Sequence, residues 1–256
     1  MVSFRSRVTA ALAAVILGLV GVAVSPAVAD AAPLPIGGNF TDNFDWWDTG
    51  RWQKADGWTN GSMFNVGWRA DHVGFQGGAM GLRLDTTPCP NGCSGRPYAS
   101  GELRTANFYT YGRFEMRMKA AKSSGAVSGF FTYTGQTDGQ PWDEIDIEIL
   151  GKNPTQMQTN YFTNGTGNHE TIINLGFDSS AGFHDYAIEW RQGRIQWFVD
   201  GRLVHTENGS RGPLPTHPQR FMANLWAGTG VDGWTGPFNY TGPLNAVYES
   251  AKYTAF

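Results

Sequence analysis

The sequence predicts an all-β sandwich, and three observations carry that prediction. Apolar residues recur with a period of two. Phe114, Met116 and Met118 alternate with Arg113, Glu115, Arg117 and Lys119, and Tyr186, Ile188 and Trp190 alternate with polar partners between Asp185 and Arg191. The run Ile195-Gln196-Trp197-Phe198-Val199 leads into Asp200-Gly201 and then Arg202-Leu203-Val204-His205, a hairpin signal because Asp-Gly tolerates the positive φ angles of a type I′ turn. Gln192-Gly193 marks the turn before it. Beyond the N-terminal segment no stretch offers a long apolar stripe at helical spacing free of Gly or Pro, and the 34 glycines are spread as punctuation. Short strands joined by tight turns bury themselves most economically as packed sheets.

The chain opens with Arg5 and Arg7, runs through the apolar stretch Val8 to Val24 and reaches small residues at Ala27, Ala29, Ala31 and Ala32. That order is expected of a secretory signal peptide over 1–29, with export and cleavage after Ala29. The remainder, 30–256, is long enough for one well-buried core and shows no linker or repeat, so a single domain is expected. Without Arg5 and Arg7 it holds 17 basic and 22 acidic residues and no Lys/Arg cluster, which argues against nucleic acid as a partner. No membrane association is expected once the signal is removed, and a secreted monomer is the default.

Cys89 and Cys93 flank Pro90, Asn91 and Gly92, all turn formers. Outside the cell that spacing favours a local disulfide closing a surface turn over a metal site, for which no His or second Cys pair completes a ligand set. Aromatics make up 14% of the residues, with ten tryptophans. Trp58, Trp142, Trp226 and Trp234 lie in Gly/Asn-rich segments where a core role is less automatic. Flat aromatic faces cover the C–H faces of pyranose rings while amides and carboxylates bind hydroxyls, so the inventory points to a sugar cleft.

The sharpest feature is the segment Asp143-Glu144-Ile145-Asp146-Ile147-Glu148-Ile149-Leu150-Gly151. Three isoleucines in strict alternation, bounded by Pro141 and Gly151, favour a strand over a helix. On a strand Glu144, Asp146 and Glu148 share one face and Ile145, Ile147 and Ile149 enter the core. Three like charges on one face repel, which a neutral design avoids and chemistry exploits. The outer two Cα atoms stand roughly 13 Å apart. Side chains leaning together reach the roughly 5 to 5.5 Å between carboxyls of a retaining glycosidase, and spacing alone leaves open the roughly 6.5 to 9.5 Å of an inverting one. A protonated partner needs a raised pKa, which the charge of Asp146 between the two is expected to supply.

The segment DEIDIEILG resembles the signature of family 16 glycoside hydrolases, and KADGWTNG (54–61), GELRT (101–105), SGFFTYTG (128–135), QTNYFTNGTGNHE (158–170), GFHDYAIEW (182–190) and NLWAGTGVDGW (224–234) resemble its lichenase branch, the endo-β-1,3-1,4-glucanases. The resemblance runs from about Phe40 to Tyr253. It implies a two-sheet antiparallel jelly-roll sandwich with a concave substrate cleft, retention of configuration, and hydrolysis of β-1,4 bonds that follow a 3-linked glucose in mixed-linkage β-glucan. By motif position Glu144 is the implied nucleophile, Glu148 the acid/base and Asp146 the residue tuning them. Implied substrate contacts are Trp58, Asn60, Glu102, Arg104, Phe131, Tyr133, Trp142, Gln158, Asn160, Asn224, Trp226 and Trp234.

Three departures accompany the resemblance. Val66 and Ser100 occupy the positions of a disulfide that relatives often carry, Phe162 replaces a cleft tyrosine, and Glu249 replaces the Asp that, with the backbone carbonyls of Asn43 and Gly78, would hold a structural calcium ion. No cofactor is implied for catalysis. A β-1,3-glucanase or glucan transglycosylase of the same family, and a lectin module that has no need for Glu-x-Asp-x-Glu, are the competing readings.

Overall fold

The computed structural model describes residues 33–256; the expected signal peptide lies outside the described residues. The strands follow in chain order. They are β1 (Phe40–Asp42), β2 (Trp52–Lys54), β3 (Val66–Trp68), β4 (Val73–Phe75), β5 (Met80–Asp85) and β6 (Tyr98–Ser100). Then come β7 (Glu102–Thr105), β8 (Gly112–Lys119), β9 (Ala126–Thr134), β10 (Asp143–Leu150), β11 (Gln156–Phe162) and β12 (Thr171–Asn174). The last five are β13 (His184–Arg191), β14 (Arg194–Val199), β15 (Arg202–Glu207), β16 (Arg220–Ala227) and β17 (Leu244–Ala255). The single α-helix among the described residues is one turn, α1 (Asp232–Thr235), and none is long and apolar enough to cross a membrane.

Two sheets result. The outer sheet runs β15-β14-β13-β8-β17-β5-β6-β3, with β1 beside β17 and β4 beside β5; the cleft sheet runs β12-β11-β10-β9-β16-β7-β2. The period-two segments form strands as expected. Asp200 and Gly201 turn the β14–β15 hairpin at φ 46° and 75°, and Gly193 turns β13 into β14 at φ 77°. One pairing departs from the expected antiparallel scheme: β3 and β6 are parallel, and the intervening β4–β5 segment supplies the crossover that a parallel pair requires.

The core lies between the sheets. Ile145, Ile147 and Ile149 of β10 are fully buried and face it, together with Phe114, Met118, Trp190 and Trp197 from the outer sheet. Each buried isoleucine contributes about 1.5–3 kcal/mol, so the apolar half of the carboxylate strand anchors the acid half. Trp197 adds a polar tie: its indole Nε1 donates to the Asp146 carbonyl at 3.0 Å, pinning the middle of β10 from across the sandwich.

Candidate active site

Strand register sorts the exposed face of the cleft sheet into three rows. The central row is Gln53, Arg104, Met222, Phe131, Asp146 and Asn160, each opposite the next on β2, β7, β16, β9, β10 and β11. One flank is Glu102, Asn224, Gly129, Glu148 and Gln158; the other is Arg220, Tyr133, Glu144 and Phe162. A linear ligand lying along the central row therefore has Glu144 on one side and Glu148 on the other. Gly129 is the bare position between Glu148 and Asn224; a β-carbon there would stand 2.5 Å from Asn224 Oδ1. A concavity of about 540 Å³ opens on the Glu144 side, lined by Tyr133, Pro141, Trp142 and Asn164, and one of about 240 Å³ on the Glu148 side, lined by Gln156, Gln158 and Trp234.

The carboxyls differ in their partners. Glu144 accepts the Trp142 indole Nε1–H at 2.5 Å and shares a hydrogen bond with Asp146, whereas Glu148 has the Gln158 amide at 3.2 Å. Burial raises all three above the ordinary carboxylate range, and the charge of Glu144 lifts Asp146 and Glu148 further. Burial thus outweighs the neighbouring charge that the sequence singled out, because Asp146 is 5% exposed and the strand sits at the floor of the cleft. The donors on Glu144 favour its anion; a protonated Asp146 is one of them. Glu148 has one amide donor, and besides burial the charges of Glu144 and Glu170 raise it.

The remaining predicted residues fall around this centre. Glu102 is buried and pushed up to about 7 by that burial, against hydrogen bonds from Asn60 Nδ2 at 2.6 Å and Asn224 Nδ2 at 3.4 Å and the nearby charge of Arg104. Arg104 donates to Gln53 Oε1 at 3.2 Å and stands 5.9 Å over the half-exposed Trp58 ring. Trp142 stacks on Phe162 with ring centroids 4.8 Å apart, so the residue that replaces tyrosine braces the donor to Glu144. Gln158 turns its Oε1 to Trp234 Nε1 at 3.0 Å, which aims its Nε2 at Glu148. Asn160 uses Oδ1 on the backbone N–H groups of Tyr161 and His169 and faces Glu170 through Nδ2 at 3.5 Å. Trp226, also on the cleft face of β16, is 2% exposed and packs against Phe64, at 4.4 Å, and Trp234, at 5.6 Å.

Two contributors escaped the sequence. Asp143 is fully buried and accepts from Thr216 N (2.9 Å), His217 N (3.2 Å), His217 Nδ1 (2.8 Å) and Asn164 N (3.0 Å), clamping two loops to the start of the carboxylate strand. Its parity was the available signal, since an acid on the isoleucine face of a strand requires donors. Glu170, just before β12, accepts from Asn160 Nδ2 at 3.5 Å, and its charge adds to the rise at Asp146 and Glu148.

The Cys89–Cys93 bridge is present, with Cα atoms 5.5 Å apart. The calcium expectation meets a different arrangement. Asp42 opposite Ala251 and Met80 opposite Tyr248 bring Asn43 and Gly78 toward Glu249, but the Glu249 carboxylate accepts from Arg117 Nε at 2.8 Å. That ion pair is exposed and contributes at most about 1 kcal/mol, so it competes with a calcium ion for the carboxylate without excluding one. Among the described residues no group of three His, Cys, Asp or Glu side chains is placed to hold a metal ion.

Comparison with known proteins agrees with this geometry. The family model described as Glycosyl hydrolases family 16 matches residues 60–242. A β-glucanase of Bacillus subtilis (strain 168) is 50% identical over 229 residues, 89% of this chain and 91% of that protein. Among solved structures, a Bacillus licheniformis β-glucanase superposes with a TM-score of 0.80 at 49% identity, covering 86% of this chain and 99% of that one. A prokaryotic β-1,3-1,4-glucanase (lichenase) derived from a mouse hindgut metagenome superposes with a TM-score of 0.81 at 44% identity, covering 86% and 100%. On a match that spans most of the chain and on identity near one half to a full-length relative, the chain belongs to family 16 of the glycosyl hydrolases and is a glycosidase.

Proposed function

We propose that this glycosidase is a secreted, monomeric endo-β-1,3-1,4-glucanase that cleaves β-1,4 bonds following a 3-linked glucose, with retention of configuration. The observation that carries the reading is the unequal donor set on the carboxylate strand. Glu144, anionic under the Trp142 N–H and the Asp146 proton, attacks the anomeric carbon as the glycosidic C–O bond breaks. Glu148 gives its proton to the leaving oxygen. In the second half Glu148 takes a proton from water, the water oxygen bonds to the anomeric carbon and Glu144 is released. Trp58, Asn60, Glu102, Arg104, Phe131, Tyr133, Trp142, Gln158, Asn160, Asn224 and Trp234 bind the glucan, and no metal takes part. The β-glucanase and lichenase relatives support the substrate class, and the N-terminal sequence pattern supports export.

The test is product analysis after incubation with barley β-glucan, laminarin and xyloglucan in parallel. Short 3-linked oligosaccharides from barley β-glucan alone are expected. Laminarin products would move the assignment to a β-1,3-glucanase, and elongated xyloglucan chains to a transglycosylase.

A further inference from the structure

The early loop that carries Trp58 and Asn60 is gripped from behind by one fully buried residue, Trp68, through its backbone and its indole. The Trp68 backbone N–H donates to Trp58 O at 2.8 Å, and its carbonyl accepts from Gly57 N at 2.9 Å. Its indole Nε1 donates to Asn60 Oδ1 at 2.8 Å. With Oδ1 committed to the indole, the Asn60 amide nitrogen is turned to Glu102 Oε2 at 2.6 Å. One tryptophan therefore fixes both the height of Trp58 and the orientation of the Asn60–Glu102 pair.

Trp68 is itself held by the disulfide turn. Strand β3 ends the outer sheet, with β6 as its ladder partner. The Cys89 and Cys93 sulfurs lie 3.4 and 3.6 Å from the Trp68 carbonyl oxygen. They crowd Gly67 so closely that a β-carbon there would meet Cys89 Sγ at 2.8 Å, which is why this strand position is glycine. Arg96, just past the turn, donates to Gly61 O at 2.8 Å and ties the turn to the same early loop.

We propose that Trp68 is a positioning residue for glucan binding at this end of the cleft, and that the Cys89–Cys93 bridge holds it in place. The inference rests on the cleft being a β-glucan site. Glu102 lies on β7, three strands from the carboxylates on β10, so the scaffold acts on binding and leaves bond cleavage alone.

The test compares wild type, W68F, N60A and the W68F/N60A double variant on barley β-glucan. Losing the indole donor is expected to raise KM about tenfold, with kcat and both limbs of the pH profile unchanged. The double variant is expected to be no worse than the poorer single one, because both act through one contact. A W68F KM within about twofold of wild type, or effects of the two substitutions that simply add, overturns the proposal. Should W68F fail to fold, reduction of the bridge in wild type with dithiothreitol decides. Retardation in β-glucan gels that falls on reduction and returns on reoxidation supports the scaffold, and retardation indifferent to reduction overturns it. A wild type that neither hydrolyses β-glucan nor is retarded by it removes the underlying reading, which is a distinct result.

Discussion

Strands β8 and β10 carry the same alternation of charged and apolar residues and behave as opposites. On β8 the one acid, Glu115, is paired with cations, and two of the strand's arginines pair with acids of neighbouring strands. Arg113 bonds Glu115 and, on β13, Glu189, each at 2.9 Å; Arg117 bonds Glu249 of β17 at 2.8 Å; and Lys252 reaches Glu115 at 3.4 Å. On β10 the partners of Glu144, Asp146 and Glu148 are an indole, an amide and one another. Exposed, screened pairs such as those of β8 contribute at most about 1 kcal/mol each. The acids of β10 are held at a cost in desolvation and repulsion that the isoleucines beneath them offset. Acids kept without a cation on a half-buried face are the pattern expected of a catalytic strand, in line with the function proposed above.

The strongest way to break this contrast is to neutralise one acid of β10. Glu144→Gln is expected to lower kcat/KM on barley β-glucan by roughly three orders of magnitude or more while leaving retardation in β-glucan gels intact. A near-wild-type rate would remove Glu144 from the chemistry. Next in size, Glu148→Ala is expected to lose most activity on β-glucan yet to regain turnover of an activated aryl glycoside when azide is added, because a good leaving group needs no proton and azide replaces the activated water. Absence of rescue would reassign the acid/base.

The pH profile sharpens the comparison. Because burial raises the carboxyls of β10, both limbs of the bell are expected above the ordinary carboxylate range and to report the coupled group as a whole. Limbs at ordinary Asp and Glu values would contradict the environment described.

Stability supplies the smallest effect and a clear sign. A carboxyl whose folded pKa is raised contributes stability that is fully present below its unfolded value and lost as pH rises through its folded one. Glu148→Gln, neutral throughout, is therefore expected to melt progressively higher than wild type as pH rises from 5 to 9. On β8 the partner change Glu189→Gln is expected to stay within about 1 kcal/mol of wild type. Equal, pH-independent changes for both variants would erase the difference between the strands.

Much of this was legible in the sequence because it is local. Period two placed Ile145, Ile147 and Ile149 inward and Glu144, Asp146 and Glu148 outward, and Asp200-Gly201 placed a hairpin. What was illegible is long-range. The acids that pair with Arg113 and Arg117 of β8 lie 76 and 132 positions away, and two of the donors to Asp143 lie 73 and 74 positions away. Trp226 reads like the other cleft tryptophans and is buried only because Phe64 and Trp234 fold over it. Glu249 reads like a calcium ligand, and its ion pair with Arg117, 132 positions away, is not visible in the sequence.

The central claim is that Glu144 bonds covalently to the sugar, and one measurement addresses it directly. Wild type is incubated with a 2-deoxy-2-fluoro β-glucan oligosaccharide bearing an activated leaving group, and the modified peptide is located by mass spectrometry. The account predicts a single glycosyl adduct on Glu144. An adduct on Glu148 or Asp146, or turnover with no adduct and inverted product, would contradict it.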